Sequence, residues 1–314
     1  MTGSFSPPPI VVIAGPTASG KSALALALAK ELGGEIVSAD ALQVYRGLDI
    51  GTAKPTREER ARVPHHVIDV AEPTEAYSAG RFRADADQAI REIRARGRPV
   101  LVCGGTALYL KALLGGLAPA PPRDAALRSR LLAAWEAGEQ AGLFAELQAA
   151  DPVLAARLHP NDKSRILRGL EVWRIGGVPL SALQAGHGFS GQPYAALRLG
   201  IDVPRDELYR RIDRRVLAML EAGWADEVRG LLEAGLPLGA PGLQAIGYRE
   251  LARWVREGGE WGSVVASIQQ STRRFAKRQL TWFRRMELQW VQAADWRAIL
   301  DQVRKFLQTN GAPL

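Results

Sequence analysis

Residues 15–22 read GPTASGKS, which fits G-x-x-x-x-G-K-[ST]. The chemistry of that spacing is phosphate binding. Gly15 and Gly20 let the backbone wrap closely, so that the N–H groups of Thr17-Ala18-Ser19 and their neighbours can face an anion. Lys21 would add an ammonium, and the Ser22 hydroxyl could ligate Mg²⁺. The motif implies a bound di- or triphosphate and leaves open whether a phosphoryl group moves. A second group able to do chemistry is Asp40, just past Ile36-Val37-Ser38. An acid there can bind Mg²⁺, act as general base or cap the next turn. Thr106 follows Gly104-Gly105, where its hydroxyl could donate to an anion or cap a helix. Residues 273–285, RRFAKRQLTWFRR, contain no acid. Arg274, Lys277, Arg278, Thr281 and Arg285 share a helix face at steps of three and four, which suits a phosphate backbone. Phe275, Leu280, Trp282 and Phe283 are expected to pack inward. A further basic set comprises Arg165 and Arg168, then Arg210, Arg211, Arg214 and Arg215, one of which could reach a diphosphate.

These groups must be held by elements. Ile10–Ala14 is a β-branched run that suits a buried parallel strand. Lys21–Leu32 is Ala- and Leu-rich, hence helical, and stops at Gly33-Gly34. Strands are expected at 36–38, 66–70 and 100–103, with helices at 79–96 and 106–114. That alternation predicts an α/β fold, a parallel sheet flanked by helices. After the proline-rich joint PAPPR (119–123), residues 124–184 carry helical patterns and no convincing strand. A strand at 197–203, a long helix opened by Pro204 and a strand at 289–291 complete the pattern. The expected organisation is a catalytic core of 1–118 and 197–314 around an all-helical insertion domain of 119–196.

The chain has 314 residues, enough for about two domains. Its 47% hydrophobic content and 24% charge describe a globular protein with a core. One Cys excludes a disulfide framework, and four scattered His argue against a histidine metal cluster. His65 and His66, adjacent on a strand, point to opposite faces and cannot share one ion. A net charge of +8 suggests an anionic partner, most often nucleic acid. No apolar run approaches the length of about 20 residues that spans a membrane. MTGSFSPPP lacks the charged start of a secretory signal. The expected compartment is the cytoplasm.

GPTASGKS, SADALQVYRGLDIGTAKP (38–55), PHHVIDV (64–70), CGGTALYLKALLGGL (103–117), HPNDKSRILRGLEV (159–172), LYRRIDRRVLAML (208–220), IGYRE (246–250) and AKRQLTWFR (276–284) follow one another in order. Together they resemble the bacterial tRNA dimethylallyltransferases, also called tRNA isopentenyltransferases, over nearly the whole chain. The resemblance implies a P-loop NTPase-like fold with a helical insertion, and Mg²⁺ as cofactor. It implies transfer of a dimethylallyl group from dimethylallyl diphosphate to N6 of the adenine immediately 3′ of the anticodon, in tRNAs reading codons that begin with U. By motif, Asp40 matches the general base, Thr106 the residue contacting diphosphate and tRNA, and Arg215 the arginine on the diphosphate, with Arg211 the alternative. Residues Gly15, Pro16, Thr17, Ala18, Ser19, Gly20, Lys21 and Ser22 match the diphosphate loop, with Ser22 the Mg²⁺ ligand.

The tRNA-contacting regions match Asp40, Ala41, Leu42 and Gln43; Arg128; Ser164, Arg165, Ile166, Leu167 and Arg168; Gln244, Ala245, Ile246, Gly247, Tyr248 and Arg249; and Lys277, Arg278, Gln279, Leu280, Thr281, Trp282, Phe283 and Arg284. The implied partner is the tRNA anticodon stem-loop, and the expected form is a monomer. The chain departs from the family at Ala41, Ala107 and Ser164, where Ser, Gly and Gln are usual. A P-loop kinase, an isopentenyltransferase acting on free adenylate and a non-enzymatic, nucleotide-switched RNA-binding protein are the competing readings. They differ in whether ATP, a free nucleotide or no acceptor at all is turned over.

Overall fold

A computed structural model describes residues 7–187 and 191–312; residues 1–6 of the N-terminal stretch and 188–190 of the expected insertion lie outside it. Six strands form one all-parallel sheet in the order β3-β2-β4-β1-β5-β6. They are β1 (Pro9–Ala14), β2 (Glu35–Ser38), β3 (His65–His66), β4 (Val100–Gly104), β5 (Ala195–Ile201) and β6 (Gln289–Val291). Every residue of β1 is buried, because its neighbours β4 and β5 cover both edges. Its side chains alternate between two cores, as a pleated strand requires. Val11 and Ile13 join Leu24, Leu28 and Leu32 on one face, while Ile10 and Val12 join Phe82, Ile90 and Leu110 on the other.

The helices from this half are α1 (Lys21–Leu32), α2 (Arg57–Arg62), α3 (Ala79–Ala95) and α4 (Ala107–Gly115). The next five are α5 (Ala125–Glu136), α6 (Gln140–Ala150), α7 (Pro152–Ala155), α8 (Lys163–Gly176) and α9 (Leu180–His187). The last five are α10 (Arg205–Glu221), α11 (Trp224–Glu233), α12 (Tyr248–Glu257), α13 (Trp261–Phe283) and α14 (Trp296–Thr309). Contacts divide the chain into Met1–Leu114 with Gln192–Leu314, and Gly115–Gly191. The second unit holds helices only among its described residues, around Leu131, Leu147, Ile166, Leu167 and Leu170.

One expectation needs correction. The strand expected over 66–70 is only His65–His66. Val67 and Asp69 take φ of 61° and 57°, outside the extended region. The cause is the Asp69 carboxylate, held by Lys54 Nζ at 2.5 Å and Arg60 Nη1 at 2.7 Å, which pulls the chain off the sheet. Helix α2 was not read from the sequence. It buries no residue and has no apolar stripe; a capping box between Thr56 and Glu59 starts it.

Candidate active site

The phosphate loop leaves the carboxyl end of β1 and enters α1, with Gly20 at φ 92° as the N-cap. Ala18 also has a positive φ, 63°. These two residues turn the chain so that loop amides converge ahead of the helix N-terminus, which adds positive potential. Lys21 is half-buried and its Nζ donates to Pro16 O at 3.2 Å. Burial lowers its pKa, and the nearby Arg215 lowers it further against the opposing effect of Asp40. Cys103, hydrogen-bonded to Ser22, is pushed up to about 11 by burial and is a neutral thiol at pH 7.

Asp40 follows β2 on a turn stitched to the second glycine turn. Ala39 N donates to Cys103 O at 2.8 Å, Thr106 N donates to Ala39 O at 3.2 Å, and Ala41 N donates to Thr106 Oγ1 at 3.0 Å. Thr106 stands just before α4. Leu42 N donates to Asp40 Oδ1 at 2.9 Å. One carboxylate oxygen thus caps the turn and the other is left for an occupant of the cavity. Since Ala41 contributes its backbone N–H here, the Ser usual at that position is not needed for this bond.

Arg215 arrives from α10. Ile212, Arg215, Val216 and Met219 recur at helical spacing and all line one cavity of about 660 Å³. Lys21, Ser22, Asp40 and Thr106 line it too. Burial lowers the pKa of Arg215 while Asp40 acts to raise it. The alternative, Arg211, is not in that lining: its Nε lies 2.9 Å from Glu207 Oε1, and Arg210 and Arg214 gather on the same acid. Further lining residues are Gly51–Lys54, Trp224 and Gln244–Ile246, together with Thr272, Phe275, Arg278 and Gln279 of α13.

Several lining residues carried no sequence signal. Trp224 sits where Cβ atoms on Gly51 and Gly247 would come within 2.0 Å and 1.9 Å of its ring. Those glycines make room for the indole. Glu227 Oε2 accepts from Asp49 N at 3.0 Å and Ile50 N at 2.8 Å, and the Tyr248 hydroxyl donates to Glu227 Oε1 at 2.5 Å. Lys54 is buried against Tyr45 O, Asp49 and Asp69. His65 faces the cavity, whereas His66 lies 2.6 Å from Glu35, so the pair does diverge. Trp224 and Glu227 hold a loop that is remote in sequence, which is why spacing alone could not single them out.

The residues matched to tRNA contacts divide by exposure. Ser164, Arg165, Gln244, Arg249, Lys277, Arg278, Thr281, Trp282 and Arg284 are exposed, and Arg128 and Arg168 are partly so. Ala41, Leu42, Gln43, Ile246 and Leu280 are half-buried. The side chains of Ile166, Leu167, Ala245, Tyr248 and Phe283 are buried, and Gly247 is buried under Trp224. Gln43 spends its amide on Ser38 Oγ, Thr52 O and Ala53 O. Gln279 is buried with both amide atoms bonded to backbone. Trp282, expected to pack inward, is 44% exposed. Its neighbour Phe283 is buried.

Among the described residues no cluster of three or more His, Cys, Asp or Glu could hold a metal. The site offers instead a hydroxyl, Ser22, and a carboxylate, Asp40, beside a phosphate cradle. All-oxygen donors completed by substrate phosphates suit a hard divalent cation.

The IPP transferase family model matches residues 43–286, and an isopentenyl transferase model matches 8–71. The chain belongs to the IPP transferase family. Members similar to it include tRNA dimethylallyltransferase 1 of Trichlorobacter lovleyi, 52% identical over 90% of this chain and 93% of that protein. The tRNA dimethylallyltransferase of Geobacter metallireducens is 49% identical over 90% and 92%. The crystal structure of the tRNA isopentenylpyrophosphate transferase of Bacillus halodurans superposes with a TM-score of 0.71 at 36% identity, covering 96% of this chain and 98% of that one. A eukaryotic dimethylallyltransferase acting on tRNA gives a TM-score of 0.81 at 26% identity over 98% and 81%. As in that family, the sheet and phosphate loop form a P-loop NTPase-like fold, and the chain is a prenyltransferase. No helix among the described residues is long and apolar enough to cross a membrane.

Proposed function

We propose that this enzyme transfers the dimethylallyl group of dimethylallyl diphosphate to N6 of the adenine 3′ of the anticodon in tRNAs reading U-initial codons. The observation that carries the proposal is the single cavity in which Lys21 and Arg215 stand with Asp40. Two half-buried cations beside one carboxylate fit a reaction in which a diphosphate leaves and an amine attacks. In this reading the loop holds a leaving group. The allylic C–O bond breaks, the diphosphate takes the electron pair, and charge grows on its oxygens. Loop amides, Lys21 and Arg215 are aimed at that charge before it forms, which is the largest source of barrier lowering.

Asp40 accepts the N6 proton as the new C–N bond forms. The Leu42 and Thr106 hydrogen bonds fix the Asp40 turn for that role. Ser22 would hold Mg²⁺, which when bound neutralises charge on the diphosphate. The adenine must leave its stack, at a cost of about a few kcal/mol. Phosphate contacts of Lys277, Arg278 and Arg284, and separately of Arg128, Arg165 and Arg168, offset that cost.

The test is to incubate the protein with labelled dimethylallyl diphosphate, Mg²⁺ and unmodified tRNA, AMP or no acceptor. Label is expected in tRNA alone. Label on AMP would make the enzyme an adenylate prenyltransferase, and ADP formed from ATP would make it a kinase.

A further inference from the structure

Helix α13 does two things with one stretch of sequence. Its exposed surface carries Lys277, Arg278, Thr281 and Arg284. Its buried stripe is Ile268, Ala276, Gln279 and Phe283. A glutamine in an otherwise apolar stripe must find partners for both amide atoms, since a buried unpaired polar group is costly. It finds them on two different loops of the active site. Thr17 N in the phosphate loop donates to Gln279 Oε1 at 2.9 Å. Gln279 Nε2 donates to Gly105 O at 2.8 Å.

The fit is close. A Cβ on Gly105 would stand 2.5 Å from Gln279 Nε2 and 3.6 Å from Lys21 Nζ, so the residue before Thr106 has to be glycine to admit the amide. Gln279 is 6% exposed. Thr272, Phe275, Arg278 and Gln279 all line the cavity, so α13 is itself one of its walls.

We propose that Gln279 is a positioning residue that couples RNA docking to the phosphate cradle. RNA held on the outer face of α13 fixes the helix. Through the two amide bonds, the helix then fixes Thr17 in the diphosphate loop and Gly105 ahead of Thr106. Coupling of this kind is reciprocal: each ligand tightens the other by the same factor. The inference rests on the proposed tRNA substrate but makes a separate claim.

The experiment measures the Kd of inorganic pyrophosphate with Mg²⁺, alone and with saturating tRNA anticodon stem-loop, for the natural chain, Gln279→Leu and Gln279→Glu. In the natural chain RNA should tighten pyrophosphate about fivefold or more. Gln279→Leu, with both bonds gone, should abolish that factor while the RNA Kd without pyrophosphate changes by less than about twofold. Gln279→Glu keeps the acceptor for Thr17 N and loses the donor to Gly105 O, so it should retain part of the factor. It also serves as the test if the leucine variant does not fold. Loss of coupling in either folded variant supports the proposal. Absence of coupling in the natural chain, or its full retention in the variants, overturns it. So does weaker RNA binding with unchanged coupling, since that marks a direct RNA contact. Transfer of label to tRNA is measured in parallel. If the natural chain labels no tRNA, the substrate reading falls; if it does and coupling is absent, only the role of Gln279 falls.

Discussion

Asp40 and Lys21 carry opposite burdens in the same cavity. The carboxylate must accept a proton, and the ammonium must stay protonated where burial and Arg215 oppose it. Asp40→Asn keeps the Leu42 hydrogen bond but cannot accept the proton. Turnover should fall about a hundredfold or more with tRNA affinity unchanged, read from single-turnover rates and filter binding. Equal losses in both would assign Asp40 to binding. For Lys21 the direction of the shift sets the pH dependence. Its free-state pKa lies below the ordinary lysine value, and a bound diphosphate favours the charged form and raises it. Binding therefore takes up a proton, and pyrophosphate affinity should decline as pH rises through the lowered pKa of free Lys21. Calorimetry in two buffers of different ionisation enthalpy measures that proton. Lys21→Met should show none at this residue.

At the scale of elements, two contacts are decisive. The first is Trp224, at the start of α11, lodged between the 49–54 loop and the start of α12. Gly247 has φ 87°, so alanine there is strained as well as overlapping the ring. Gly247→Ala should cost about 3 kcal/mol, from overpacking and backbone strain together, and should lower the melting temperature. Gly51→Ala meets the same indole without the positive φ and should cost less. The second element is α13. Lys277 is exposed on it. Lys277→Ala should reduce the slope of log K for tRNA against log salt by about one unit. An unchanged slope would remove it from the interface.

At the scale of the whole molecule, the edge strand β3 is tied to its neighbour β2 through the contact of His66 with the buried Glu35. Glu35, at the first position of β2, is 3% exposed at its side chain and receives Arg96, His66 and Arg98. Burial alone would raise its pKa; the Arg96 and His66 hydrogen bonds outweigh that and lower it. A carboxylate depressed in the fold stabilises above its unfolded pKa, and that stability is lost as pH falls through the folded value. Glu35→Gln should therefore destabilise by about 2 kcal/mol at pH 7, a figure reduced for the exposure of Arg96. The difference from the natural chain should shrink in acid, where Glu35 is protonated. Urea titrations at pH 7 and at acidic pH measure both.

Local features determined much of this protein. The β-branched run at 10–14, the loop at 15–22, helix α1 and the basic run of α13 are set by near neighbours, and period and spacing record them. The phosphate loop and the strand-end position of Asp40 were legible for the same reason. Tertiary structure decided what distant partners control. The strand at His65–His66 stops early because Lys54 and Arg60 capture Asp69, and no periodicity records that pull. Arg215 rather than Arg211 lines the cavity, which residues of remote segments such as Lys21, Asp40 and Thr106 complete. Gln279 turned inward although its neighbours in sequence face water. A side chain's exposure depends on which other element covers it, and that cover is contributed by residues far away along the chain.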